Sequence, residues 1–439
     1  MIRIREEITT AVKMQLRIAS IVAGAAIIAA ACSPGASTAP STAPASAAPT
    51  TSTSQPPASE PAPSQGAAPL SGELTIWHSY GSGAGTEAQA LTEVLAAVKT
   101  ANPDLKVNVL EVPFNDLFTK YNTDAATGGG PDLFIAPNDS MGQQARDGVI
   151  ADLTDALEGK LDNKTETAVN GAKVPLDNGL RIFMVPESLK AVGLFYDSAS
   201  LATPPATTDA LLAGVKDGSI KAGFFGGNNG LYHNFGWWAG FGGKLMDDTG
   251  KCIADQGGVA DAYKYLVELQ TAGAKFYPNY DDMANAFKKG DLNLIVDGPW
   301  ATGGYKEAVA GVKSAPMPAG PSGPAQPFSG VDGWYINPAT KDMDLAVDFA
   351  LQMTNTANEQ VFVDKAGHIP ANKDNTITDP ITQGFADAVA TGYPRPQVKQ
   401  LDNFWGNFGT AQQKILESGA DPVTEIATAC AAMNKANGL

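Results

Sequence analysis

Residues 286–300 read AFKKGDLNLIVDGPW. The segment DLNLIVD (291–297) is a short apolar run, and the Gly298-Pro299 break before Trp300 closes it as a strand. Upstream, Val259, Ala262, Tyr263, Leu266 and Leu269 recur at helical spacing; downstream, Leu345, Phe349 and Met353 do the same. The pattern repeats nearer the start of the chain. LTIW (74–77) is a buried-strand run followed by the glycine-rich SYGSGAG, and Leu91, Val94, Leu95 and Val98 share one helix face. Asn102-Pro103 ends that helix, Leu105, Val107 and Val109 alternate as a second strand, and DLFIAP (132–137) is a third. Strands alternating with helices imply α/β layers with parallel sheets. A chain of 439 residues is too long for one core, so two α/β lobes are expected. Ligands of open α/β sheets sit beyond strand carboxyl ends, which between two lobes is a cleft.

The composition supplies enough apolar residues for such cores, at 44% hydrophobic and 17% charged. The formal net charge of -16 repels phosphate backbones and anionic headgroups, so nucleic acid is not an expected partner. Cys32, Cys252 and Cys430, with His78, His233 and His368, lack metal-ligand spacing, and neither a metal nor a cofactor is expected. GSGAG (81–85) has neither the dinucleotide-binding spacing nor a P-loop lysine, and no nucleophile elbow occurs.

The amino-terminal region reads as an address. Lys13 and Arg17 precede the apolar run IASIVAGAAIIAAA (18–31), which is shorter than the roughly 20 residues a membrane span needs and reads as an export signal. Ala29-Ala30-Ala31-Cys32-Ser33 resembles a bacterial lipobox, which implies cleavage before Cys32 and lipidation of its thiol. Glu6 and Glu7 are unusual in such a leader, and Met14 offers a cleaner start. Residues 33–71 are Ala, Pro, Ser and Thr with almost no charge and are expected to remain a disordered tether. The expected organisation is therefore a signal peptide (1–31), a lipidated cysteine with linker (32–71), and a folded body.

Four segments of that body, LTIWHSYGSG (74–83), TGGGPDLFIAPNDSMG (127–142), AFKKGDLNLIVDGPW (286–300) and PQVKQLDNFWGNFGTAQQKIL (396–416), in this order, resemble the family 1 bacterial extracellular solute-binding proteins, the maltose-binding protein group. The resemblance implies a two-lobed periplasmic-binding-protein fold of type II. Each lobe would be a mostly parallel sheet flanked by helices, with three crossovers and hinge closure on a ligand between the lobes. It places the first lobe at 72–190 and 328–366 and the second at 191–327 and 367–439.

By the same resemblance Trp300 and Trp405 are stacking tryptophans, Tyr232 contacts sugar and Asp139 accepts hydroxyl hydrogen bonds; Trp334 and Asp332, near a crossover, are further candidates. Sugars present hydroxyl rims and C–H faces, which flat aromatics and carboxylates match. Each candidate has a structural alternative: Trp300 or Trp334 plugging a core, Asp139 capping the helix that begins near Ser140. His78 and the pair Trp237-Trp238 are expected to be structural. The chain departs from the maltose pattern at Gly81-Ser82, Ala136, Ser140, Lys190 and Gly230, so the scaffold carries over and the maltodextrin-specific polar set does not.

The function implied is a substrate-binding lipoprotein of an ABC importer. A monomer, it would be held outside the cytoplasm on the cell membrane through its lipid anchor and deliver a carbohydrate to the transmembrane permease subunits; no catalysis is implied. A polyamine or other non-sugar solute is the alternative ligand, and a surface glycosidase with paired carboxylates the alternative class. Family topology puts Cys252 and Cys430 on one lobe in an oxidising location, where they pair or remain two buried thiols.

Overall fold

The computed structural model describes residues 69–81 and 85–439. The expected signal peptide, Cys32 and the expected linker through residue 68 lie outside the described residues, as does Ser82. Strand β1 (Gly72–His78) runs parallel to β2 (Leu105–Glu111) on one side and to β3 (Leu133–Pro137) on the other. The intervening helix Thr86–Ala101 buries Leu91, Val94, Leu95 and Val98, the face its period marks. It stops at Asn102, whose side-chain amide donates back to the Val98 carbonyl at 2.7 Å, before Pro103. A hairpin of β4 (Lys173–Leu176) and β5 (Gly179–Ile182) leads into β6 (Val185–Lys190), every residue of which is buried.

Beyond Lys190 the chain enters a second sheet made of β7 (Gly193–Asp197), β8 (Ala222–Phe225), β9 (Lys275–Tyr277), β10 (Leu294–Asp297) and β11 (Val312–Ala315), ordered β11-β7-β10-β8-β9. It returns as β12 (Phe328–Ile336), which inserts between β3 and β6, and β13 (Ile369–Pro370) then pairs beyond β6. A last short strand, β14 (Tyr393–Pro394), pairs with the start of β12. The large sheet is thus ordered β13-β6-β12-β3-β1-β2. It draws in Ile369–Pro370, just past the second segment expected for the first lobe. The closing helices Phe404–Ser418 and Pro422–Ala436 join the core under the small sheet, together with helix Val259–Ala272.

Strand direction corrects one expectation. Neither sheet is mostly parallel: β12 is antiparallel to both β3 and β6, β13 to β6, and β7 to both β10 and β11. A strand that comes back from the other sheet re-enters from the opposite end, and only the βαβ connections within one sheet enforce parallel pairing. The sulfurs of Cys252 and Cys430 are bonded, with Cα atoms 5.5 Å apart, pinning the last helix to the loop after Met246. Among the described residues no helix is long and apolar enough to cross a membrane.

Candidate functional site

The chain leaves β10 at Asp297, turns at Gly298-Pro299 and presents Trp300 on a three-residue 3-10 turn. A Cβ on Gly298 would lie 2.1 Å from the indole, so the glycine is what lets the ring fold back over its own turn. The indole Nε1 donates to Tyr280 Oη at 2.8 Å, and Tyr280 Oη lies 3.1 Å from the Asp297 carboxylate. Asp297 is fully buried and also receives the Tyr305 hydroxyl at 2.5 Å and the Gly298 N–H at 2.8 Å. Burial, and after it the Asp297 charge, keeps both phenols protonated well above their ordinary range, so both remain donors. Tyr232 stands beside Trp300 with ring centroids 6.1 Å apart, and its hydroxyl donates to the Phe328 carbonyl at 3.3 Å.

Trp405, in the first turn of helix Phe404–Ser418, donates from Nε1 to the Asp139 carbonyl at 3.3 Å. Between it and Tyr232 lies Arg395, a cation between two prolines. Its guanidinium sits 5.4 Å from the Trp405 ring centre, 5.2 Å from Tyr232 and 5.6 Å from Phe328. Its Nη1 pairs with the Asp139 carboxylate and donates to Asn138 Oδ1 at 3.0 Å. Asp139 therefore serves this cation and not the following helix, whose N-cap Ser140 receives no side-chain cap. Gln397, donating to the Asn138 carbonyl, and Arg146, paired with Asp402, fasten the same strap.

The opposing wall comes from the large sheet. Lys190, at the end of β6, pairs with Asp332 at 2.9 Å and points its ammonium at the Trp300 and Tyr232 rings, 5.8 and 5.9 Å from their centres. Deeper in, His368 bridges Glu187, at 3.0 and 3.1 Å from Nδ1, and Glu87, at 2.9 Å from Nε2. Burial works against charge on the ring. The two carboxylates outweigh it and hold the imidazole well above its usual value, while burial pushes the Glu87 carboxyl up. Tyr80 Oη is buried without a hydrogen-bond partner, and burial followed by the charges of Glu187, Glu87 and Asp332 keeps it protonated. The two walls touch: Asn229 donates to Asn115 at 3.0 Å, and Gly303 abuts Thr86.

Asp139, Tyr232, Trp300, Trp405 and Asp332 thus come together, linked through Lys190 and Arg395. Trp334 does not join them. It is 1% exposed, packed edge-on against Phe349 at 5.9 Å inside the core under the large sheet. It is a core residue because β12 is a central strand covered by helix Met343–Met353. Trp237 and Trp238 are buried in the second core, and His78 is a buried imidazole whose Nδ1 accepts from the Tyr80 N–H at 3.2 Å. Sequence reasoning passed over Arg395, Tyr280, Asp297, Tyr80, Glu87 and Glu187. Only Arg395, a lone cation inside PRP, carried a local signal. An open recess of about 610 Å³ lies apart from these rings, along Lys306, Gln360, Asp364 and Asp379, and presents no aromatic face. Among the described residues no group of His, Cys, Asp and Glu is arranged to hold a metal ion.

The profile of a family described as bacterial extracellular solute-binding protein matches residues 93–386. The maltodextrin-binding protein of Bacillus subtilis (strain 168) is 24% identical over 344 residues, covering 71% of this chain and 80% of that protein. The maltotriose-binding protein of Pyrococcus abyssi (strain GE5 / Orsay) is 25% identical over 369 residues, covering 79% and 78%. Among solved structures, the Thermus thermophilus maltotriose binding protein bound with maltotriose superposes with a TM-score of 0.75 at 26% identity, over 83% of this chain and 100% of that one.

Proposed function

The chain belongs to the bacterial extracellular solute-binding proteins, and from that premise we propose that it captures a neutral oligosaccharide between its lobes and delivers it to the transmembrane subunits of an ABC importer. The observation that carries the ligand class is the pairing of aromatic faces with self-neutralised charge. Tyr232, Trp300 and Trp405 bring three half-buried aromatic rings to one place for sugar C–H surfaces, while the cations beside them are neutralised, Lys190 by Asp332 and Arg395 by Asp139. A polyamine site needs free carboxylates, and here the carboxylates nearest the rings are already held by cations. The names of the two sequence relatives, both maltooligosaccharide binders, support the same class.

Asp139, Tyr232, Trp300, Trp405 and Asp332 are the contact residues of this reading. Residues 72–190 and 328–366, together with the strand Ile369–Pro370 that joins their sheet, make up the first lobe of this reading and the remainder of the body the second. The protein is a monomer without catalytic activity, exported through residues 1–31 and anchored outside the cytoplasm by lipidated Cys32. Delivery to a permease needs only moderate affinity, about −8 kcal/mol for a micromolar constant. Calorimetric titration against maltotriose and a panel of mono- and oligosaccharides tests the reading. Saturable binding to one sugar, lost in Trp300→Ala and in Trp405→Ala, is the expected result. Heat from a polyamine such as spermidine, with none from any sugar, would overturn it.

A further inference from the structure

We propose that Tyr280 and Asp297 are positioning residues that lock the plane of the Trp300 indole, so that the stacking surface is set before ligand arrives; the inference rests on reading Trp300 as that surface. An aromatic side chain on a three-residue turn, half-buried and outside the regular elements, has two side-chain torsions to settle. Here they are settled by a hydrogen-bond chain whose direction is fixed. Asp297 is a carboxylate and only accepts. Tyr280 must therefore give its single hydroxyl proton to Asp297, 3.1 Å away, which leaves its lone pairs to accept from Trp300 Nε1 at 2.8 Å.

Both ends of this chain are held. Asp297 is fully buried at the end of β10 and receives Tyr305 Oη and the Gly298 N–H besides Tyr280. Tyr280 opens helix Tyr280–Lys288, whose N-cap Asn279 accepts from the Asp281 and Asp282 N–H groups, so its backbone does not drift. His233 packs edge-on to the indole at 5.9 Å, with its Nε2 3.4 Å from the Asp297 carboxylate. A ring so placed pays no ordering cost when a sugar stacks on it, which is where preorganisation gains affinity. Neither Tyr280 nor Asp297 needs to touch the ligand to do this.

The test is a double-mutant cycle between Tyr280→Phe and Trp300→Phe on the full chain, with maltotriose as the calorimetric probe and near-ultraviolet circular dichroism of the unliganded protein as a second readout. Phenylalanine at 300 keeps a stacking face but has no N–H for Tyr280 to accept. In the wild-type background Tyr280→Phe should weaken maltotriose binding by about tenfold, the upper range for one lost hydrogen bond. In the Trp300→Phe background it should change nothing further. The dichroism should show the same coupling: Tyr280→Phe alters the tryptophan band only where Trp300 is present. Asp297→Asn, which keeps the shape and weakens the anchor, should act in the same direction as Tyr280→Phe. Equal losses in both backgrounds would make Tyr280 a general support of the lobe and overturn the positioning role, as would an unchanged affinity in the wild-type background. If the wild type binds no sugar, the carbohydrate reading falls on its own, and the dichroism cycle still decides whether Tyr280 orients Trp300.

Discussion

At His368 one imidazole holds two carboxylates together. Both ring nitrogens face carboxyl oxygens, Glu187 on one side and Glu87 on the other, and with both carboxylates ionised the doubly protonated ring satisfies them. Burial alone would lower the ring's affinity for its proton; the Glu187 and Glu87 charges reverse that and raise it well above 6.5. A folded value above the unfolded one gives stability that is fully present below about pH 6.5 and lost as pH climbs through the folded value. The melting temperature should therefore fall on the alkaline side. His368→Gln should lower it near neutrality, because Glu87 and Glu187 lose their cation, and should also flatten the alkaline decline. Thermal unfolding followed by circular dichroism from pH 6 to pH 10 checks both; an unchanged slope in the variant would assign the titration elsewhere. Glu87, Glu187 and His368 were not legible as a unit in the sequence, since a glutamate reads as solvated surface until its partner is folded against it. Trp300 and Trp405 entered through the resemblance of residues 286–300 and 396–416, and each also stands near glycine, proline or asparagine. Trp334, in GVDGWYIN, carries the same local signature and is core, because only the position of β12 between β3 and β6 decides what covers it.

The last helix is fastened by the bond between Cys252 and Cys430, 178 residues apart. In the chain-entropy account a loop of that length contributes roughly 5 kcal/mol, less any strain. Cys252→Ser with Cys430→Ser should lower the urea midpoint with little change in sugar affinity, since both are buried core residues and neither is a contact residue of the proposed site. Thiol titration of the denatured, unreduced wild type should find neither of these two sulfurs free. Helices Val259–Ala272 and Met343–Met353 follow the periods that mark them, with Leu266, Leu269, Phe349 and Met353 all buried. The strand read across 291–297 narrows to Leu294–Asp297, because the residues before it complete the turn after helix Tyr280–Lys288. At β2 the alternation breaks: Leu105 and Val107 are buried, but Val109 and Leu110 are 44% exposed where the edge strand runs past the core. Strand direction left no trace in the sequence, because a period of two is the same read from either end.

On the scale of the whole molecule the two walls meet, and one glycine marks how closely. Gly303, in helix Thr302–Ala308 of the small-sheet lobe, lies against Thr86 at the start of the first helix of the other lobe. A Cβ there would meet Thr86 Oγ1 at 2.2 Å and Thr86 Cγ2 at 2.3 Å. The obstacle belongs to the opposite wall, so under the hinge-closure reading it burdens the closed form and not an open one. A valine at 303 should thus leave each lobe intact, and valine is a somewhat better helix residue than glycine. A substitution that penalises one of two conformations shifts their balance by the differential cost, and ligand affinity falls by the same factor when only the closed form binds tightly. Gly303→Val should therefore keep a near-wild-type melting temperature without ligand and weaken maltotriose binding by at least about tenfold. Small-angle scattering should show no compaction on adding sugar at concentrations that compact the wild type. Compaction equal to wild type would mean that the Thr86–Gly303 approach does not limit closure.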